Sequence, residues 1–591
     1  MRMLLAGVVL GATLAGGISS ALASTPLTPY TMARVDSQDP QPAGRWSERL
    51  ATVPDFNHDG VNELLIADLN ESYGGFSQAG RVYMQEGKTR KIMYSVDAPE
   101  IQAGAHFGFF ISVIGDVNGD GVADFAAGTD AQNVDASGAS CTKGTPGCVA
   151  GQGKAWVFSG ANGRMLYALS NPDPQAAARF GSRVGRAGDI NRDGVQDIIV
   201  GASGSDMPTG CGHDQTTGKA LAAIPAGCRV GEGAAYIFSG KDGSLIRTLH
   251  LPAADEAPAP CKSSCGSFGL AVQGPGDMNG DGTTDQLVDA GSFNYDTATQ
   301  RACTDQLAPT CNKGQGAEYV FSGKDGSVIR RTDDPSPQKG AFFGFQDAEP
   351  LAPGDVNGDG VPDYFANGFE QNGPPPGNLD SAGRAWVFSG KTGALLYEVK
   401  TPTPTAGGQF GFSMAKTDYD RDGDSDVYVG ASPHHTSGAG IDQSGGTFIF
   451  DGKTGALLKA LVLPRSDAQP GDTLANGDDN NGSNLGWTVA APGDLNGDGQ
   501  PDYVAGSPFE DVGGAGLPLN CQAPTPGCVQ DVGREYFFYS NVPAPKPPPP
   551  PPSGHRFNVN RVIIHAHKRR VAHGNTLVTF NGTVVVPGFL N

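Results

Sequence analysis

A nine-residue pattern of acidic and amide side chains, D-x-[ND]-x-D-G-x-x-[DE], occurs seven times in this 591-residue chain. Each copy sets side-chain oxygens at positions 1, 3, 5 and 9 and a backbone carbonyl at position 7 around a glycine at position 6, where a sharp turn needs positive φ. The side-chain donors are Asp55, Asn57, Asp59 and Glu63 in the first copy, Asp116, Asn118, Asp120 and Asp124 in the second, and Asp189, Asn191, Asp193 and Asp197 in the third. The fourth has Asp277, Asn279, Asp281 and Asp285, and the fifth Asp355, Asn357, Asp359 and Asp363. The sixth has Asp418, Asp420, Asp422 and Asp426, and the seventh Asp494, Asn496, Asp498 and Asp502. Carboxylates this close repel one another unless a cation lies between them. A set of oxygen donors on a flexible loop suits Ca²⁺, whereas Mg²⁺ prefers a rigid octahedron and keeps its water. Up to seven structural calcium ions are therefore expected. Glu63 is one methylene longer than aspartate, so the first site should differ in geometry. Asp420 adds a negative charge, so the sixth should bind most tightly.

The loops need strands to hold them. About nine residues before each lies Phe107-Gly108, Phe180-Gly181, Phe268-Gly269, Phe343-Gly344, Phe410-Gly411 or Leu485-Gly486, with Trp46-Ser47 as the divergent first copy. A strand-like run such as Trp156-Val157-Phe158-Ser159-Gly160 follows each. Short β-branched and aromatic runs bounded by Gly, Asn and Asp are strand signals, and each unit holds four of them, A to D. The acidic loop joins A to B, and a Lys-Asp-Gly or Lys-Thr-Gly turn leads from C to D. Four antiparallel strands repeated seven times predict an all-β fold, a seven-bladed β-propeller. The last unit lacks strand D, since proline-rich sequence follows Tyr536-Phe537-Phe538-Tyr539. Residues 31–47 align without gaps on 165–181, a strand D with its connector. The N-terminal strand should therefore complete the last blade and remove the open edges of the ring.

The combination of Phe-Gly, the acidic loop, and Gly201-Ala202-Ser203, Gly430-Ala431-Ser432 or Gly506-Ser507-Pro508 resembles the FG-GAP repeat family. That family includes the N-terminal propeller of integrin α-subunits and many secreted bacterial proteins. The resemblance spans about residues 31–541 and implies calcium in the acidic loops and ligand recognition on one face of the propeller. Integrin propellers typically carry the loop in only some blades; here all seven have it.

Composition narrows the function. The formal net charge of −21 argues against nucleic-acid binding, because phosphates would be repelled. Glycine (87) and proline (44) are abundant, but the glycines recur in register with the repeat, so a folded, turn-rich chain is expected. Arg2, the apolar run from Leu4 to Ala15 and Ala21-Leu22-Ala23 before Ser24 read as a secretory signal peptide over 1–23. No other stretch is long enough to span a bilayer, so a secreted, extracellular, periplasmic or cell-surface monomer without a transmembrane anchor is expected.

Ten cysteines in sequence-local pairs agree with export and predict five disulfides: Cys141–Cys148, Cys211–Cys228, Cys261–Cys265, Cys303–Cys311 and Cys521–Cys528. Four pairs lie in the long B–C loops, about 129–153, 203–233, 291–316 and 508–533, and the fifth in a D–A connector at the same end of the blades. Long loops on a rigid scaffold carry function, and stapling lowers the entropy lost on binding. The B–C face is thus the expected recognition surface for an extracellular protein or glycan. Asp206, His213, Asp214, His434 and His435 are candidate contacts there, while Asp472, Asp478 and Asp479 in the last connector could hold a further cation.

The propeller is expected over 24–541, a proline-rich linker over 542–553 and a basic tail over 554–591. The tail carries Arg556, Arg561, Lys568, Arg569 and Arg570, with His565 and His567 as a candidate metal pair and a hairpin expected around Asn581-Gly582. An adhesion or recognition module fits best. An extracellular hydrolase or lyase and a structural envelope protein are the alternatives. Against an enzyme, there is no G-x-S-x-G elbow and no H-E-x-x-H, and no carboxylate pair stands apart as acid and base.

Overall fold

The computed structural model describes residues 30–540 apart from 300, 304–308, 346–351, 374–378, 403, 405, 433–444, 464–483 and 514–527, and two strands beyond them, 565–570 and 576–581. All named elements are strands, and no helix among the described residues is long and apolar enough to cross a membrane. The chain divides into two units, Met1–Val542 and Pro543–Asn591.

The first unit is a seven-bladed propeller of antiparallel sheets. Blade 1 runs A to D through Arg49–Val53, Glu63–Asp68, Arg81–Gln85 and Ile92–Asp97. Blade 2 uses Phe110–Gly115, Asp124–Thr129, Lys154–Phe158 and Met165–Leu169; blade 3 uses Arg183–Gly188, Asp197–Ala202, Ala234–Phe238 and Leu245–Leu249. Blade 4 comprises Phe268–Gly276, Asp285–Ala290, Glu318–Phe321 and Val328–Thr332. In blade 5, strands B to D are Tyr364–Gly368, Arg384–Phe388 and Leu395–Val399, preceded by a bridge between Gly354 and Asp363. Blade 6 has Phe410–Thr417, Asp426–Ala431, Gly446–Phe450 and Leu457–Leu461. Blade 7 takes strands A to C from Thr488–Gly493, Asp502–Ser507 and Arg534–Ser540. Its fourth strand is the N-terminal Tyr30–Asp36, antiparallel to strand C with Tyr30 opposite Ser540 and Asp36 opposite Arg534. The expected ring closure is present.

The recurring residues hold the blades apart and together. The Phe-Gly aromatics Phe107, Phe180, Phe268 and Phe343 are fully buried and meet the strand C aromatics of their own blades, as Phe107 does with Trp156 at 5.8 Å between centroids. The glycine in strand B leaves room for the next blade: a Cβ on Gly201 would lie 2.0 Å from the Gly269 carbonyl oxygen. Strand D then reaches across the seam. Tyr94 and Tyr167 donate to the Gly160 and Gly240 carbonyls of the following blades, and Arg247 Nη1 donates to Gly323 O at 2.7 Å.

In the second unit, His565–Arg570 pairs antiparallel with Thr576–Asn581. This differs from the expected hairpin. Asn581 ends a strand opposite His565, and Arg570 lies opposite Thr576, so the pairing of this strand is with the residues upstream of it. The signal segment 1–23, the proline-rich stretch, His434, His435, Asp472, Asp478, Asp479 and Cys521 lie outside the described residues.

Candidate metal centres and the opposite loop face

The acidic loops form one end of the propeller, each between strands A and B. Their ninth residue does two things. Its side chain starts strand B inside the blade, so Glu63, Asp124, Asp197, Asp285, Asp363 and Asp502 are all 0 % exposed. Its oxygens collect backbone amides from both sides. Asp124 Oδ2 accepts from Val117 N (2.9 Å) and Asn118 N (3.1 Å), and Oδ1 accepts from Gly160 N in the C–D turn (3.0 Å). The same turn amide reaches Asp197, Asp285, Asp363 and Asp426, from Gly240, Gly323, Gly390 and Gly452, and Ser540 N reaches Asp502 at 2.8 Å. Burial pushes these carboxyls up, to about 6 for Asp124 and Asp426 and about 7 for Glu63 and Asp502, against the pull of the amides.

The first residue of the loop works locally. Asp116 accepts from Gly119 N and Gly121 N, and Asp277, Asp355 and Asp494 do likewise in their loops. The third residue caps the turn, as Asn118 Oδ1 does by accepting from Asp120 N at 2.8 Å. Much of each loop's oxygen is thus already engaged by its own backbone.

Two loops, the ones with unusual residues, go further, although in the first of them Asp55 still accepts from His58 N and Gly60 N and Asn57 Oδ1 from Asp59 N. Among the described residues, Asp55, Asp59 and Glu63, and Asp418, Asp420 and Asp426, form the two groups that gather three carboxylate oxygens within 4.8 Å of one another. Glu63 Oε1 and Asp418 Oδ1 are buried with no hydrogen-bond partner. A buried, unpaired carboxylate oxygen is costly, and a cation at either cluster would answer it. The residues of loops 1 and 6 therefore fit a divalent ion with oxygen preference. In the other five loops the predicted residues surround the same turn but do not converge in this way.

At the opposite end, the B–C loops are more ordered than the sequence suggested. They carry short extra sheets: Val134–Asp135 with Cys148–Val149, Tyr295–Asp296 with Arg301–Ala302 and Cys311–Asn312, and Val512–Gly513 with Cys528–Val529. Four disulfides close as expected, at Cys141–Cys148, Cys211–Cys228, Cys261–Cys265 and Cys303–Cys311. Loops also brace one another. Gly144 N and Ala150 N in the blade 2 loop donate to Thr216 O and Gln215 O in the blade 3 loop, at 3.2 and 3.0 Å. Val230 N donates to Cys261 O and Cys261 N to Cys228 O, joining the blade 3 loop to the connector into blade 4.

Of the candidate contacts there, Asp206 is corrected. It is 0 % exposed and accepts from Gly212 N, Gly231 N and His213 Nδ1, so it is an internal brace of its loop. That contact raises the His213 pKa. Asp214 caps a turn by accepting from Thr217 N and Oγ1. Sequence reasoning missed an aromatic cluster at this end: Phe345, Phe369, Phe412, Trp487 and Phe509, with Arg45 over Phe509 at 4.7 Å and Arg183 over Phe345 at 5.3 Å. Its signal was available, because Phe345, Phe412 and Trp487 each directly follow a Phe-Gly or Leu-Gly pair.

A profile of the FG-GAP repeat matches residues 180–220, the third repeat. Among curated relatives, integrin alpha-4 of Xenopus laevis is 26% identical over 228 residues, 37% of this chain and 18% of that protein. Integrin alpha-5 of the same organism is 23% identical over 293 residues, 49% of this chain and 21% of that protein. A phosphatidylinositol-glycan-specific phospholipase D of Bos taurus is 35% identical over 107 residues, 18% of this chain and 11% of that protein. The chain thus spans about a fifth or less of the relatives it matches. The matched repeat, the likeness to integrin α chains and the seven blades with their recurring Phe-Gly and acidic loops together make this chain an integrin α-like FG-GAP β-propeller.

Proposed function

We propose that this chain is a secreted, calcium-stabilised recognition module that binds an extracellular protein or glycan through its B–C loop face. The observation that carries the reading is the bracing of the blade 2 and blade 3 loops to each other and to the connector into blade 4, on top of their disulfides. Loops held in one arrangement lose less entropy on binding. Calcium belongs to the other end of the blades, where loops 1 and 6 gather carboxylates around unanswered oxygens and the remaining loops offer the same residue pattern. The ion's part is to hold the A–B turns, and this chain's carboxylates do the holding: the ninth residue ties the loop to the C–D turn while the first and third cap it.

The test is binding of the chain to arrays of glycans and matrix proteins, in calcium and in chelator. Ligands captured in calcium, and lost when residues 131–151 and 206–231 are exchanged for short turns, support the reading. Absence of any captured ligand from a folded chain whose melting temperature still rises with calcium overturns recognition while leaving the metal sites standing.

A further inference from the structure

Inside the ring, at the acidic-loop end, the inner strands of blades 1, 2, 3, 6 and 7 enclose a cavity of about 560 Å³. Most of its wall is aliphatic, from strand A residues of those blades. Its polar groups are few: the guanidinium of Arg186, the ammonium of Lys416, the hydroxyls of Thr52, Thr417 and Ser425, and the carboxylates of Asp418 and Asp424. Both carboxylates have other commitments. Asp424 is paired with Lys453 Nζ at 3.3 Å, and Asp418 belongs to the sixth acidic loop. Neither Arg186 nor Lys416 has an ion pair or hydrogen bond among the described residues. An adjoining cavity of about 350 Å³ shares Thr417 and Asp418 and adds Arg421, also without such a partner.

Although the chain has 62 acidic against 41 basic residues, the cavity wall carries two cations with no protein partner among the described residues, which leaves them available to an anionic ligand. A concave, mostly apolar cavity of this size with a few polar groups on its wall has the dimensions of a small-molecule site. Arginine and lysine together with hydroxyl donors match an anion, and the planar fork of Arg186 matches a carboxylate bidentately. At the opposite end of the axis, Arg183 of blade 3 lies over Phe345 of blade 5, which packs with Phe369, Phe412 and Trp487. We propose that the axial cavity binds a small carboxylate-bearing ligand, its carboxylate held by Arg186 and Lys416 and its body against the aliphatic wall. This site lies at the other end of the blades from the B–C loops and does not depend on the recognition reading.

Isothermal titration of the full chain in calcium-replete buffer tests it, with D-glucuronate and succinate as carboxylate probes from a sugar acid and an open-chain acid. D-glucose and inorganic phosphate serve as controls. At least one carboxylate probe should bind, glucose and phosphate should not, and Arg186→Gln and Lys416→Gln should each weaken binding about tenfold. Lys416→Arg, which keeps the charge, should retain most of it. Both native side chains are exposed, so the variants should melt with the parent. The carboxylate probe that binds identifies the source of the ligand. Binding unchanged in both Gln variants, glucose binding as well as glucuronate, phosphate alone binding, or no probe binding overturns the proposal.

Discussion

Glu535 sits in strand C of blade 7, opposite Gly506 on one side and Val35 on the other, with no exposed surface. Its Oε2 accepts from Gln85 Nε2 at 3.2 Å and its Oε1 has no partner. Burial pushes its pKa up to about 8, with the Gln85 hydrogen bond and the nearby Arg90 pulling the other way. A carboxyl raised above its unfolded value binds its proton more tightly when folded. Its contribution to stability is therefore present below the unfolded value and is lost as pH rises toward 8. Glu535→Gln removes that titration and should gain on the order of 3 kcal/mol relative to the parent between about pH 5 and about pH 8. Thermal melts across that range check it, and equal pH slopes for parent and variant refute it. The acidic loops allow a second prediction at this scale. Calcium should raise the melting temperature, each filled site adding about 1.4 kcal/mol at ten times its dissociation constant. Asp59→Asn and Asp420→Asn should each remove part of that rise, since each breaks one of the two carboxylate clusters. Identical melting in calcium and in chelator would refute metal binding at both.

At the scale of the element, the seam between blades rests on a close approach of backbone to backbone. The Gly201 position has the Gly269 carbonyl where a methyl would go, and Gly128 has the Gly181 carbonyl at 1.9 Å from its notional Cβ. A backbone carbonyl cannot swing aside as a flexible side chain could. Gly201→Ala should therefore cost about 3 kcal/mol or more through overpacking, read as a fall in the denaturant midpoint at unchanged slope. Gly194→Ala tests a different constraint. Its Cβ meets nothing, but its φ of 89° is left-handed, so the cost there is backbone strain of about 1 kcal/mol. If the two substitutions cost the same, interblade packing does not set the requirement for glycine in strand B.

At the scale of the whole molecule, closure joins residues about five hundred apart in sequence. Arg534 is its anchor: its Nε reaches Asp36 Oδ1 at 2.5 Å and its Nη1 reaches the buried Glu510 at 2.5 Å. Removing Tyr30–Asp36 would leave the edge of Arg534–Ser540 unpaired and Glu510 with a less constrained arginine. A ring opened in this way should melt lower and self-associate through the free edge. Size-exclusion chromatography with light scattering checks this, and a monodisperse monomer with parental stability refutes it.

The repeat was legible because it is local and periodic. Phe-Gly, the acidic loop and the strand after it recur in one order, so the blade count, the strand order and even the donor of the missing strand follow from the residues alone. Cysteine pairing was legible for a related reason, since partners only a few residues apart have few alternatives. The tail hairpin was misread because Asn581-Gly582 looks like a turn in isolation, whereas its strand has a longer partner upstream, His565–Arg570. Asp206 looked like a surface contact because burial of a loop aspartate depends on how its own loop folds back over it. Loops 1 and 6 could be named as exceptions from Glu63 and Asp420, yet their unanswered oxygens depend on which amides the neighbouring turns supply. The axial cavity was illegible altogether. Arg186, Lys416 and Thr52 come from three blades, and only the closing of seven sheets into a ring brings side chains so far apart in sequence to one wall.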